Sequence, residues 1–182
     1  MVRVALMDRD GVLSRDRPDY IKNEDELEVF PFARAALETF KKAGWLVYVA
    51  SNQSVVARGL ASLDDVEATT AKLVRLVGSF DGIFYCYHRP EDKCTCRKPE
   101  PGLLLQGLAA AAAVGPLEEC WMVGDSARDV EAGRRAGCRT AVVLTGRLSA
   151  EEARRLEPPP DVVADDVLEA AKLITASLDA PH

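Results

Sequence analysis

A chain of 182 residues that is 48% hydrophobic and 29% charged carries enough apolar material for one domain with a full core. Its net charge of −6 and pI near 5.0 leave no excess of Lys and Arg for a nucleic-acid backbone. No apolar run approaches the ~20 residues that a membrane span requires; the longest, Leu108 to Val114, is mostly alanine and reads as helix.

The first element is the apolar run Val2 to Met7, a strand that ends at Asp8-Arg9-Asp10-Gly11. The polar stretch Ser14 to Glu28 is expected to loop out beside it. Phe32 to Ala43 reads as a helix, with Pro31 at its start and Gly44 just past its end. A strand, Trp45 to Ala50, runs into Ser51-Asn52-Gln53-Ser54. A helix over Asp64 to Val77 follows Ser62, and a strand over Gly82 to Cys86 comes next. Helix Pro101 to Ala113 precedes strand Cys120 to Val123, which ends in Gly124-Asp125-Ser126-Ala127-Arg128-Asp129. Helix Ala127 to Ala136, strand Thr140 to Leu144, the spacer Pro158-Pro159-Pro160, strand Val162 to Ala164 and a helix from Asp165 to Ser177 complete the chain. The tail after Leu178 is expected to fray.

Strands alternating with helices predict an α/β fold, a three-layer Rossmann-like parallel sheet with helices on both faces. Continuous apolar strands such as Ala141 to Leu144 agree with burial on both sides. No internal repeat or second core is visible, so residues 1–182 read as a single domain without a large cap. Met1 leads straight into a strand pattern rather than a secretory signal, which predicts a soluble, cytoplasmic protein.

Between the third strand and its helix lie Cys86, His88, Cys94 and Cys96, four thiol or imidazole groups within eleven residues. Thiolate with imidazole suits Zn²⁺, which takes four tetrahedral ligands. With all four places filled by protein the metal is structural. Chance core cysteines or a disulfide are the alternatives, but Pro90, Glu91, Asp92 and Lys93 make the segment too polar for a core, and a reducing compartment disfavours the disulfide. The zinc-binding loop, residues 86–98, ends in Arg97-Lys98, so it holds two cations still.

Ligands of open α/β sheets bind at the carboxyl ends of the strands. Here those ends carry Asp8 and Asp10, then Ser51 to Ser54, then Arg97 and Lys98, then Asp125 and Asp129. Each element has a plain alternative: a turn, a helix cap, a solvated face. Their joint placement at one sheet edge favours a site. In this order the four elements resemble the haloacid-dehalogenase superfamily of phosphotransferases, matched by Asp8-Arg9-Asp10-Gly11, Ser51, Lys98 and Gly124-Asp125 with Asp129. The Cys-x-His and Cys-x-Cys-Arg-Lys-Pro block is similar to a narrower group. It contains the D-glycero-D-manno-heptose 1,7-bisphosphate 7-phosphatases and the histidinol-phosphatases. The resemblance covers about residues 4–146.

The resemblance implies that Asp8 is the nucleophile and forms an aspartyl-phosphate, while Asp10 serves as acid and then base. It implies Mg²⁺ held by the Asp8 and Asp125 side chains and the Asp10 carbonyl, with Asp129 behind them or orienting Lys98. Ser51 and Lys98 are expected to hold the phosphoryl oxygens. Arg97 suits a second phosphate or substrate hydroxyls, and Arg9, Asp16, Asp19, Tyr20, Asn52, Gln53 and Ser54 are the remaining expected substrate contacts. The expected partner is a small phosphorylated sugar or amino-alcohol, and the protein is expected to be a monomer that binds neither nucleic acid nor membrane. Ser51-Asn52-Gln53-Ser54 followed by Ala57-Arg58-Gly59-Leu60 favours the heptose group. The zinc loop, with five residues between His88 and Cys94, is as short as in histidinol-phosphatases. Tyr87 stands where the group has proline, and Ser126 where some heptose enzymes have lysine. A zinc-stabilised scaffold without activity is the alternative from another class, though such a protein has no need of Asp8, Asp10, Ser51, Lys98 and Asp125 together.

Overall fold

The computed structural model describes residues 1–176. Six strands form one parallel sheet: β1 (Val2–Met7), β2 (Trp45–Asn52), β3 (Gly82–Cys86), β4 (Leu117–Gly124), β5 (Arg139–Val143) and β6 (Val162–Ala164), in the order β3-β2-β1-β4-β5-β6. Five α-helices connect them, α1 (Ala33–Lys42), α2 (Leu63–Val77), α3 (Gly102–Ala112), α4 (Ala127–Arg135) and α5 (Ala150–Arg154), and α6 (Val167–Ala176) follows β6. Short 3-10 turns occupy Glu24–Glu26 and Pro90–Asp92.

Alternation along the strands sorts the core into two layers, because successive side chains leave a strand on opposite faces. Ala5 and Met7 of β1, Val47 and Val49 of β2, and Trp121 and Val123 of β4 pack beneath α1, α2 and α6. Val4, Leu6, Tyr48, Ala50 and Met122 pack beneath α3 and α4. The predicted α/β sandwich with helices on both faces is what forms, and no large cap interrupts it among the described residues.

The chain crosses to the other side of the sheet between β3 and β4, so the strand order reverses between β1 and β4. Helices on either side of such a point diverge and leave a crevice at the carboxyl ends. That crevice lies between Asp8 and Asp125.

Element boundaries differ from the sequence reading where a local bond extends or shortens a period. β2 runs on through Ser51 and Asn52, which pair with Tyr85 and Cys86 of β3, so these polar residues end the strand rather than follow it. β4 begins three residues earlier, at Leu117, because it continues to pair with β1. α2 starts at the expected place: Ser62 accepts from the Asp65 amide at 3.1 Å while the Asp65 carboxylate takes the Ser62 amide at 2.8 Å. α5 is absent from the sequence reading, being only five residues long with a capping box at Ser149 and Glu152. α6 starts at Val167 rather than Asp165. The predicted extension to Ser177 and the tail after Leu178 lie outside the described residues.

Candidate active site

The turn after β1 sets the first part of the site. The amides of Leu13 and Ser14 both bond the Arg9 carbonyl oxygen, at 2.8 and 3.0 Å, and curl the chain back on itself. Gly11, at φ +81°, occupies the left-handed region, and a Cβ there would overlap the Asp125 carboxylate. Gly146 approaches Asp125 equally closely. Two positions without side chains thus let two loops close on one carboxylate.

Asp8 sits at the centre. Its Oδ1 accepts from the Ser51 hydroxyl at 2.6 Å and the Arg9 amide at 2.7 Å, and its Oδ2 lies 2.8 Å from Lys98 Nζ. Lys98 is buried and also meets Asp129 Oδ1 at 2.6 Å. Asp129 Oδ2 in turn takes the Ser126 amide and hydroxyl, at 3.1 and 2.6 Å, as the third residue of the α4 capping box. Burial opposes the charge on both partners, but the carboxylates hold the Lys98 ammonium above its ordinary pKa and Lys98 holds Asp129 below its own. Asp8 is pushed up, first by burial and then by Asp129, against the pull of Lys98.

Asn52 fixes where Lys98 stands. Its side-chain amide donates to the Lys98 carbonyl oxygen at 3.0 Å and accepts from the Lys98 amide at 3.1 Å, a two-point clasp of the main chain. The expected substrate contact therefore has a protein partner at both ends of its amide. Gln53 is similarly engaged: it donates to Asp10 Oδ2 at 2.9 Å and Ser51 Oγ at 3.0 Å, and accepts from Arg9 at 2.9 Å. Arg9 is buried beneath Asp10, which it grips by two parallel bonds at 2.8 and 2.9 Å, and its guanidinium lies against the Tyr85 ring. Burial works against charge on Asp10, but Arg9 first, then Gln53 and Ser14, hold its carboxyl below the usual range. Arg9 does not line the cleft, contrary to its expected role as a substrate contact.

The cleft has a volume of about 670 Å³. Asp8, Asp10, Ser51, Lys98, Asp125 and Asp129 line its inner pole, with Asn52, Gln53, Ser54 and Arg97 beside them and Asp16 and Tyr20 at the rim. Asp19 lies outside it; its exposed carboxylate is taken first by Lys22 and then by Arg17, whose bonds lower its pKa to about 2. Sequence reasoning missed Arg15, Arg128, Thr145, Gly146 and Arg147, which also line the cleft. Thr145 donates to the Gly11 carbonyl oxygen at 2.6 Å, the Arg147 amide to Asp125 at 3.1 Å, and the Arg147 guanidinium to Asp16 at 2.9 Å. These residues follow β5, and asking what stands at that strand's end would have found them.

Two groups of side chains among the described residues have metal-ligand geometry. The oxygens of Asp8, Asp125 and Asp129 converge within 4.8 Å of one another. Burial, then Asp129, Asp8 and Asp16, push Asp125 up to about 8. A carboxylate so placed calls for a cation, and all-oxygen donors suit a hard one such as Mg²⁺. The other group is Cys86, His88, Cys94 and Cys96. Its sulfur and Nδ1 atoms lie 3.2 to 3.7 Å apart. Sulfurs at ~2.3 Å from a common tetrahedral centre stand ~3.8 Å apart, so the donor set and the spacing both fit Zn²⁺. The loop is tied down from outside as well: Arg97 donates to the His88 carbonyl oxygen at 3.0 Å and the Gly102 amide to that of Thr95 at 3.0 Å. A Cβ at Gly102 would overlap the loop's main chain.

Comparison with known proteins agrees with this geometry. Residues 95–170 match the family model described as HAD-hydrolase-like. The D-glycero-beta-D-manno-heptose-1,7-bisphosphate 7-phosphatase of Pseudomonas aeruginosa is 43% identical over 148 residues, which cover 79% of this chain and 82% of that protein. The protein of the same name from Pseudomonas putida is 39% identical over 94% of this chain and 98% of its own length. Among solved structures, the D,D-heptose 1,7-bisphosphate phosphatase of B. bronchiseptica, complexed with magnesium and phosphate, superposes with a TM-score of 0.84 at 32% identity. That match covers 97% of this chain and 99% of the other.

Proposed function

The chain belongs to the HAD-like hydrolases and, within them, to the heptose-1,7-bisphosphate 7-phosphatases, and we propose that it removes the 7-phosphate of D-glycero-D-manno-heptose 1,7-bisphosphate through an aspartyl-phosphate on Asp8. The observation that carries this reading is the position of Asp8. One of its oxygens faces a hydroxyl and an amide, the other a buried ammonium, and it opens on a cleft large enough for a sugar phosphate.

An Asp8 oxygen attacks phosphorus, the P–O bond to the sugar breaks, and the phosphoryl group passes to Asp8. Ser51 and Lys98 lie within reach of a phosphoryl group at Asp8 and hold its oxygens as charge spreads over them. Asp10 gives a proton to the departing sugar oxygen, then takes one from the water that hydrolyses the acyl phosphate. Arg9, bonded to both Asp10 oxygens, and Gln53, bonded to Oδ2, fix its orientation. Asn52 acts through the main chain of Lys98, and Asp129 through its ammonium. Mg²⁺ held by Asp8, Asp125 and the Asp10 carbonyl would offset the repulsion between carboxylate and phosphate. Zn²⁺ at Cys86, His88, Cys94 and Cys96 would hold Arg97 and Lys98 in place without entering the chemistry. The chain acts in this reading as one domain and as a monomer, with the zinc loop inserted after β3.

The test is Mg²⁺-dependent phosphate release from heptose 1,7-bisphosphate, histidinol phosphate and fructose 1,6-bisphosphate. The heptose should give the highest kcat/KM. Preference for histidinol phosphate would move the substrate and keep the mechanism, whereas no turnover of any phosphomonoester by zinc-loaded protein would leave the scaffold reading standing.

A further inference from the structure

The bonds that aim Asp10 come from behind it, on the side away from the cleft. Its Oδ1 accepts from Arg9 Nε at 2.8 Å and from the Ser14 hydroxyl at 3.2 Å. Its Oδ2 accepts from Arg9 Nη2 and from Gln53, both at 2.9 Å. Arg9 is the main hold, a two-bond fork from a side chain that is itself 1% exposed. A buried guanidinium has to be held in turn. Gln53 takes one of its protons at 2.9 Å. Its other neighbour is aromatic: the guanidinium carbon lies 5.8 Å from the centre of the Tyr85 ring, within the range over which a ring face attracts a cation.

Strand register delivers Tyr85 to this place. It pairs with Ser51 across β2 and β3, so its ring stands beside the hydroxyl that holds Asp8, on the sheet face that also carries Gln53. β3 is the edge strand, and the outer side of the ring lines a groove of about 600 Å³ between α2 and β3. Two contacts keep the ring from swinging into that space. The hydroxyls of Tyr85 and Thr70 are bonded at 3.1 Å, and Thr70 is bonded at 2.7 Å to the Val66 carbonyl oxygen of its own helix. Tyr87 meets the ring edge-on, with 6.3 Å between centres and 65° between planes. Tyr87, which stands where proline was expected, is therefore a buttress.

Asp10 changes its protonation twice in each cycle, giving a proton to the departing sugar oxygen and taking one from water. Its grip on Arg9 changes with it. Gln53 and Tyr85 are contacts of the guanidinium that stay the same throughout, and a shift of about 1 Å in such a group is enough to slow the chemistry.

We propose that Tyr85 is a positioning residue for the proton transfer: its ring, held by Thr70 and Tyr87, backs Arg9, which keeps Asp10 aimed at the leaving oxygen. This deepens, and rests on, the phosphatase reading of the same cleft.

The experiment separates proton donation from phosphoryl transfer by the choice of leaving group. kcat/KM covers the steps through formation of the aspartyl-phosphate. For a sugar alkoxide those steps need the Asp10 proton, whereas p-nitrophenolate departs without one. In Tyr85→Leu enzyme with Mg²⁺, kcat/KM for heptose 1,7-bisphosphate should fall about tenfold, and that for p-nitrophenyl phosphate less than about threefold. The groove beside the ring leaves a leucine room, so the fold should survive. Tyr85→Phe keeps the ring and should recover most of the loss. A crystal structure of Tyr85→Leu should show Arg9 displaced and its fork on Asp10 opened. Equal losses for both phosphates, no loss for the sugar, a Tyr85→Phe enzyme as slow as Tyr85→Leu, or a Tyr85→Leu structure with Arg9 and Asp10 unmoved each overturns the proposal. A native enzyme that releases phosphate from neither compound overturns the phosphatase reading instead, while the crystal structure still reports whether the ring holds Arg9.

Discussion

Asp8, Asp125 and Asp129 stand at or just past the carboxyl ends of β1 and β4, whereas Cys86, His88, Cys94 and Cys96 stand on a loop that leaves the sheet after β3. The oxygen cluster is held by the protein's own bonds: Ser51 and Arg9 on Asp8, Ser126 on Asp129, Arg147 on Asp125, and Lys98 bridging two of the three. The sulfur cage is tied through its main chain instead, by Arg97 at the His88 carbonyl oxygen and by the Gly102 amide at that of Thr95. Its thiols touch each other and His88, and the 3-10 turn Pro90–Asp92 supplies no buried side chain. One cluster is set by the ends of the strands, and the other has the donor set and spacing to take a metal. This is also why they divide the labour. A preorganised site open to the cleft can accept and release a phosphate, and a closed cage can only brace what lies next to it, here Arg97 and Lys98.

The sharpest break in this comparison comes from the oxygen side. Asp8→Asn keeps the shape of the side chain and the bond to Ser51, but removes the nucleophile. Phosphate release should fall by about 10³-fold or more, and the melting temperature should barely move, because Lys98 retains Asp129. Activity retained in this variant would remove Asp8 from the chemistry.

The second break comes from the cage. In Cys94→Ser protein the fourth ligand is lost, and in a domain of this size metal-site losses lie in the tail above about 3 kcal/mol. At ~2–4 °C per kcal/mol that lowers Tm by roughly 6–12 °C, with activity falling alongside as Arg97 and Lys98 lose their anchor. Stringent chelation of the native protein should do the same, because ligand binding in such loops is also folding energy. An unchanged melting curve after chelation would show that the loop closes without metal.

How far the sequence already disclosed these regions follows from the range over which each signal acts. The cage was legible because all four ligands lie within eleven residues, and the sheet because strand and helix periods repeat along the chain. The acids were legible at strand ends, where the fold class itself says to look. What stayed hidden depends on contacts between distant segments. Nothing near Asn52 in sequence announces that it clasps Lys98, 46 positions away, or that Arg9 turns inward beneath Asp10 rather than toward substrate. Arg147 and Thr145 reach Asp125 and Gly11 across more than twenty and one hundred and thirty positions respectively. Arg128 was in plain view, three residues past Asp125, but only the fold shows that it lines the cleft.

The smallest effect separates the clusters by sign. Asp125 is buried among carboxylates, so in Mg²⁺-free protein its folded pKa, about 8, lies above its ordinary value of 3.8. Between those values the folded state binds more protons than the unfolded one, and stability falls as pH rises. The contribution is present in full below about pH 4 and lost as pH climbs through about 8. A bound divalent cation takes the place of the proton, so the slope should flatten in Mg²⁺, with a gain of ~2.7 kcal/mol when the free ion reaches a hundred times its Kd. Asp125→Asn should remove both the slope and the response to Mg²⁺, and raise the melting temperature of the Mg²⁺-free protein at pH 8. Removing the Asp125 carboxylate from the oxygen cluster thus stabilises the metal-free fold, while removing a ligand from the cage destabilises the loaded one. Melting curves at pH 6 and pH 8, with and without Mg²⁺, measure the difference. A lower melting temperature for metal-free Asp125→Asn would mean that Asp125 holds the fold together as the cysteines do, and the contrast between the two clusters would fail.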